Sequence, residues 1–344
     1  MSDLEDLVTR VFTDLATHDL VLEAERSTLL EDLWAKVAAV GLPWIGIDEA
    51  AGGPGGSLAD LLVVLRGSGR HAVPLPLLEN HLAAWLVATA GGRVDDTAPW
   101  SVAPPQDGLA VADGRATGTL YDVAWGGSVA RVVALVGDRV VVLDPATARV
   151  APGRDLAGQP RDALTFDAAP VRTLDGAVGT DRLAERGAVL RAIQMAGAMQ
   201  GVYDLTDRYV YQREQFGRPV GTFQAVRRHL VFLAQMAVMT TVSAERAAAA
   251  LASAGETGVD ASFAAAAAKL LADQNAAVSA RSGHQAHGAI GMTREYALQD
   301  LTRRLNAWRG DWGTERALSA RIGAAVLDAG RVTALATDAG ALIV

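Results

Sequence analysis

Between Tyr209 and Arg228 the chain reads YVYQREQFGRPVGTFQAVRR, and this stretch limits the folds open to it. Val202, Leu205, Tyr209 and Val210 arrive at helical spacing, and Phe223, Val226, Leu230 and Leu233 resume the same period afterwards. Gly217-Arg218-Pro219-Val220-Gly221 interrupts it, because proline has no N–H to donate and glycine weakens helical order. Two amphipathic helices joined by a sharp break are therefore required. The break carries a guanidinium (Arg213), an amide (Gln224) and two aromatic rings, Phe216 and Phe223. Arginine and a glycine-rich backbone suit a phosphate, since the fork donates two parallel hydrogen bonds and glycine permits close approach. The same residues would equally make an ordinary helix–turn–helix corner with a solvated arginine.

The flanks extend the pattern. From about Asp181 to the end the period is helical, with runs such as AERAAAALASA and ASFAAAAAKLLADQNAAVSA. Alanine on several faces permits the close helix approach of a packed bundle. Residues 2 to about 90 also read as helical, with Leu4, Leu7, Val8, Val11 and Leu15 on one face and Leu29, Leu30, Leu33, Trp34 and Val37 on another. GLPWIGIDEAAGGPGGSLADL interrupts them. Ser57 is placed to cap a helix starting near Leu58, and without the lysine of a P-loop the glycine run reads as a connector. Residues 91–108 have no period and suggest a linker. Short β-type runs follow at Leu109–Ala112, Val129–Leu135, Arg139–Leu143 and Ala163–Phe166, fewer than an independent barrel wants. Their apolar faces need cover from other elements.

A chain of 344 residues exceeds what one core usually serves. The expected class is mixed α and β, mainly α. The expected domains are 1–90, helical; 91–178, a small reduced β domain; and 179–344, a helical bundle. A net charge of −8 with no long basic run argues against nucleic acid and against an anionic membrane surface as partners. The absence of cysteine excludes disulfides, thiolate nucleophiles and cysteine-ligated metals, and no metal site is expected. MSDLEDLVTRVF is acidic and amphipathic, unlike a signal peptide, and no apolar run is long enough to span a bilayer. A cytoplasmic protein is expected.

Three motifs together resemble the acyl-CoA dehydrogenase family. REQFGRPVGTFQAV at 213–226 is similar to its R-x-x-F-G…F-Q signature, and HQAHGAIGMTREYALQDLTRR at 284–304 to its Q-x-x-G-G-x-G-x-x-x-E segment before an arginine pair. The weaker GLPWIGIDEAAGGPGGSLADL at 41–61 resembles its G-x-x-x-I-P-E-x-x-G-G turn. The helical–β–helical layout agrees with the fold this implies. In such enzymes the bundle of one subunit reaches a flavin held mainly by a neighbour. The resemblance implies that Arg213 pairs with the FAD pyrophosphate, with Phe216 beside it and Gln224 nearby. It puts Gln285, Gly288 and Gly291 in a glycine turn on the adenosine side, and Thr314 among the cofactor-binding residues. Outside that resemblance, Gln285 and His287 read as a hydrogen-bonded turn on a bundle surface.

The family's reaction needs a carboxylate to take the α-proton of an acyl-CoA while hydride leaves Cβ for the flavin. Its commonest base is the second residue of a Y-E-G-T stretch, here Asp311-Trp312-Gly313-Thr314, which puts Trp312 in the place of the base. The alternative position, 26 residues ahead of Arg213, is Gly187. Neither can accept a proton, so no catalytic residue is assigned; Glu185 and Glu315 lie nearby but out of register. The loop that covers the flavin ring also reads as shortened or missing. Ala289 stands for a second glycine, and Arg316 for a flavin-contacting glutamine. The pattern is similar to the shorter subunit of heteromeric (α2β2) acyl-CoA dehydrogenases known from actinobacterial steroid side-chain breakdown, in which a longer partner supplies the base. The first expectation is an FAD-dependent acyl-CoA dehydrogenase subunit acting on an acyl-CoA with such a partner. The alternatives are a self-sufficient homo-oligomeric enzyme with a relocated base or a non-redox acyl-thioester reaction, and a flavin-free structural subunit.

Overall fold

The computed structural model describes residues 3–26, 31–94, 97–176, 178–253 and 260–336. The fold is mostly helical, at 59%, with a small sheet region. Five helices come first: α1 (Asp3–Leu15), α2 (His18–Ala24), α3 (Glu31–Ala39), α4 (Leu58–Arg70) and α5 (Leu77–Thr89). Eight strands follow: β1 (Trp100–Val102), β2 (Leu109–Ala112), β3 (Arg115–Ala124), β4 (Arg131–Val136), β5 (Arg139–Leu143), β6 (Arg149–Ala151), β7 (Arg161–Pro170) and β8 (Arg172–Asp175). The rest comprises α6 (Thr180–Gln212), the short strands β9 (Glu214–Gln215) and β10 (Arg218–Pro219), and α7 (Gln224–Ala252), α8 (Ala261–His287), α9 (Leu298–Trp308), α10 (Glu315–Ala329) and α11 (Thr333–Ala336). Two compact units result, one of Met1–Val64 and Pro74–Gly187, the other of Leu65–Val73 and Ala188–Val344.

In the first unit the strands form two four-stranded sheets, ordered β1-β4-β5-β8 and β2-β3-β7-β6. The pairing of β1 with β4 is parallel; the other pairs in these sheets are antiparallel. Leu120, Val123, Leu164 and Phe166 of one sheet share a core with Val132, Ala134, Val141 and Leu143 of the other. β4 and β5 are buried almost throughout, so they need a cover on their other face. α5 supplies it, packing on β1 and β4 and buried nearly all round, with Glu79, Asn80 and His81 buried among its apolar residues. Buried Asn80 ties the pieces together: its amide donates to the Pro43 carbonyl and its oxygen accepts from the Trp100 amide, both at 2.9 Å. β1 lies where a linker is expected; three residues buried on all sides carry no alternation to betray a strand. Ser57 does cap α4, reciprocally with Asp60: the Asp60 amide donates to Ser57 Oγ, and the Ser57 amide to Asp60 Oδ2.

The second unit is a helical bundle. α8 is buried along much of its surface through Ala265, Ala266, Ala268, Ala272, Ala276 and Ala280, and packs on α7, α9 and α10. The C-terminal part of α4 joins α6 by glycine on both sides. A Cβ on Gly69 would lie 1.9 Å from the Gln194 carbonyl oxygen, and one on Gly197 would lie 1.9 Å from that of Arg66. The bundle interior also holds charge. Lys269 Nζ donates to Asp273 Oδ1 at 2.5 Å, with both side chains fully buried, and Arg191 pairs with Asp311 at 3.0 Å.

Candidate flavin site

The break between α6 and α7 is a hairpin rather than a simple corner. β9 and β10 pair antiparallel, with Gln215 opposite Arg218 and Glu214 opposite Pro219, so Phe216 and Gly217 form a two-residue turn. Their φ values of 53° and 75° are those of a type I′ turn, which glycine accepts and phenylalanine does not favour. Phe216 stands at the tip with 92% of its surface exposed, edge-on to Phe223, while the Arg218 guanidinium lies over the Phe223 ring. The Arg213 carbonyl accepts from the Val220 amide at 2.8 Å, which closes the arm at its base and leaves the Arg213 side chain exposed. α7 then starts at Gln224 with no side-chain cap and no acid in its first turn, so the positive end of its dipole is uncompensated there.

The second motif ends at the same place. Val210 of α6, Leu230 of α7 and Ala286 of α8 form one small apolar cluster, with Tyr209, Val220 and Val226 packed against it. Arg213, Gln224 and Gln285 each lie within a few residues of that cluster, and all three are exposed. The His287 ring stacks on Tyr209 at 4.6 Å and lies 5.0 Å from Tyr296. Burial first of all lowers the His287 pKa below its usual value. Nδ1 of His287 meets the Gly283 carbonyl, and Nε2 is buried without a partner. Gly288 ends α8 at φ 65° and ψ −141°, a conformation essentially confined to glycine. Gly291 is packed so that a Cβ would meet His287 Cβ at 2.8 Å. Ala289 is exposed.

Arg213, Phe216, Gln224, Gln285, Gly288 and Gly291 thus belong to one end of the bundle, and Thr314 does not. Thr314 caps α10, accepting from the Ala317 amide. Its neighbour Glu315 interacts electrostatically with Asp273, about 18 Å along α8 from Gln285 at 1.5 Å per residue. Of the candidate carboxylates, Glu185 is only 4% exposed, and Glu315 accepts from Arg309 at 2.5 Å. Trp312 occupies the would-be base position in a left-handed conformation, φ 58°. The segment around it is held by the Arg191–Asp311 and Arg309–Glu315 pairs. Tyr209, His287 and the buried charges were not singled out as functional from sequence. Lys269 and Asp273, four apart within an alanine run, were the available signal.

An exposed guanidinium, two side-chain amides, an exposed ring and a glycine turn at one helix end are a donor set suited to a dinucleotide diphosphate. Comparison with known proteins gives the family. The family described as Acyl-CoA dehydrogenase, C-terminal domain, matches residues 180–327. The acyl-CoA dehydrogenase IpdE2 of Mycobacterium tuberculosis is 32% identical over 283 residues, 78% of each chain. The solved structure of a variant of the Tcur3481–Tcur3483 steroid ACAD superposes with a TM-score of 0.84 at 26% identity, covering 95% of this chain and 98% of that one. The ChsE4–ChsE5 complex from M. tuberculosis gives a TM-score of 0.82 at 20% identity, covering 95% and 96%. The chain belongs to the acyl-CoA dehydrogenase family, a family of oxidoreductases. Among the described residues no helix is long and apolar enough to cross a membrane, and no cluster of His, Cys, Asp or Glu could hold a metal ion.

Proposed function

We propose that this chain is the supporting subunit of an FAD-dependent acyl-CoA dehydrogenase, working with a longer partner that carries the base. One observation carries the reading: the flavin-type residues are presented outward, while both base positions hold residues that cannot take a proton. Arg213 would bind the pyrophosphate, assisted by the uncapped start of α7. Phe216 would offer its exposed ring beside it. Gln224 would lie nearby, and Gln285 with the Gly288–Gly291 turn would hold the adenosine side. When bound, FAD supplies the hydride acceptor for α,β-dehydrogenation of an acyl thioester. The structure of the steroid ACAD, to which this chain is similar over nearly its whole length, supports a two-subunit assembly and a steroid-derived acyl-CoA. A soluble, cytoplasmic heterotetramer fits the same reading.

A self-sufficient enzyme would need a carboxylate open to the thioester, and the burial of Glu185 and the pairing of Glu315 disfavour both candidates. Co-expression with a longer dehydrogenase-like partner, followed by flavin quantification, tests the proposal. One FAD per two chains, lost together with activity in Arg213→Ala, is the expected result. One FAD per chain in this protein purified alone, with turnover, would refute it.

A further inference from the structure

The N-terminal turns of α6 bring a second arginine against α5 within the first unit. Arg186 donates through Nη2 to His81 Nε2 at 3.0 Å, and its guanidinium lies over the Trp85 ring, 4.7 Å from the centroid. Its Nε is buried without a partner. Among the described residues no carboxylate pairs with it, and the charge acting on it is another cation, Arg182. Burial with that repulsion lowers its pKa to about 10, strongly perturbed for a guanidinium yet still charged at neutral pH. His81 cannot neutralise it. The imidazole is fully buried, and burial and the neighbouring guanidinium hold its pKa well below the usual value, so Nε2 is an acceptor and the ring is neutral.

An unpaired guanidinium in a partly buried place is expensive, because desolvation is not offset by an opposite charge. The bundle shows the contrast: Arg191 has Asp311, and Lys269 has Asp273. We infer that Arg186, set by Trp85 and His81, is a receptor for the carboxylate of a small organic ligand. The Trp85 ring and His81 hold the guanidinium in place, and the N–H groups that His81 does not use remain for a planar carboxylate acceptor. Arg186 remains partly accessible, and exposed Arg182, one turn earlier, adds attraction for an incoming anion. A phosphate dianion would find one ordered guanidinium where it wants several donors. The inference concerns residues other than those assigned to flavin and stands independently of that assignment.

The test is thermal unfolding of the full chain at fixed pH and ionic strength, titrated with glutarate, with inorganic phosphate and with chloride. Glutarate should raise the wild-type midpoint by about 2 °C at ten times its dissociation constant. Arg186→Met should abolish that rise without lowering the ligand-free midpoint, since it removes an uncompensated charge. If Arg186 serves only packing, Arg186→Met lowers the midpoint and the glutarate response is absent in both proteins, which overturns the inference. A rise with phosphate and none with glutarate overturns the assigned ligand class. Should the variant fail to fold, saturation-transfer NMR of glutarate on the wild type decides: signal that phosphate does not displace upholds the inference, and its absence refutes it.

Discussion

Lys269 and Asp273 form an ion pair that water does not reach, and its removal should follow the rules of buried charge. Both side chains are fully buried and Oδ2 of Asp273 has no partner, so little beyond Lys269 stabilises the carboxylate. Lys269→Met strands the carboxylate, and Asp273→Leu strands the ammonium. Each single change should cost about 3–5 kcal/mol, whereas the double replacement, which leaves a packed apolar pair, should cost about 1 kcal/mol or less. At about 1.4 °C per kcal/mol for a chain of 344 residues, each single variant should melt about 4–7 °C lower and the double within about 2 °C of wild type. Far-UV circular dichroism at about pH 8, above the value near 7 to which burial lifts Asp273, reads this out. The cycle then reports a coupling of several kcal/mol. Singles costing less than about 1 kcal/mol, or a double equal to their sum, would refute the assignment of a desolvated pair.

Three further outcomes follow from particular residues. Because the Asp273 pKa rises on folding from 3.8 to about 7, the native state holds a proton that the unfolded state has released between those values. Its contribution is therefore full below 3.8 and lost as pH rises to about 7, at up to about 1.4 kcal/mol per unit; Asp273→Asn should flatten that slope in midpoint-versus-pH curves. Gly69→Ala, favourable by helix propensity alone by about 0.5–1 kcal/mol, should instead destabilise by about 2 kcal/mol or more in urea unfolding, since its Cβ collides with the Gln194 carbonyl; a gain in stability would contradict the close crossing. Phe216→Gly should leave stability unchanged or raise it by about 1 kcal/mol by relieving the left-handed turn, yet lower flavin retention in the co-expressed complex; unchanged flavin would remove Phe216 from the cofactor site.

What could be read from sequence was whatever sits within one element. The helical runs (apart from Leu29 and Leu30, which lie outside the described residues), the Ser57 cap, and the strands at Leu109–Ala112 and Arg139–Leu143 declare themselves through local period and chemistry. β3 was missed because glycine and polar residues dilute its alternation, and two register shifts against β7 break the period. The site divides the same way. Arg213, Phe216 and Gln224 lie within twelve residues and were legible as a group. The Tyr209–His287 stack and the Arg186–His81 contact join residues far apart in sequence, the latter pair 105 positions, and only the tertiary fold makes them neighbours. Burial of Lys269 was invisible for another reason: a lysine four residues before an aspartate is usually a solvated surface pair.

The charge pairs bear on the missing base more directly than the motif does. A base for an α-proton must be a carboxylate free to reach the thioester rather than one held in place by a cation. Around Trp312 both flanking acids are held by cations, Asp311 by buried Arg191 and Glu315 by Arg309. Replacing Trp312 by glutamate would thus add a third carboxylate to a segment where two cations already face two acids. The added charge would lack a partner, and its pKa would rise. A segment arranged in this way is built to be held in place. Restoring a base at that position would therefore require loosening the Arg191–Asp311 lock as well, a coupled change that a single substitution does not supply.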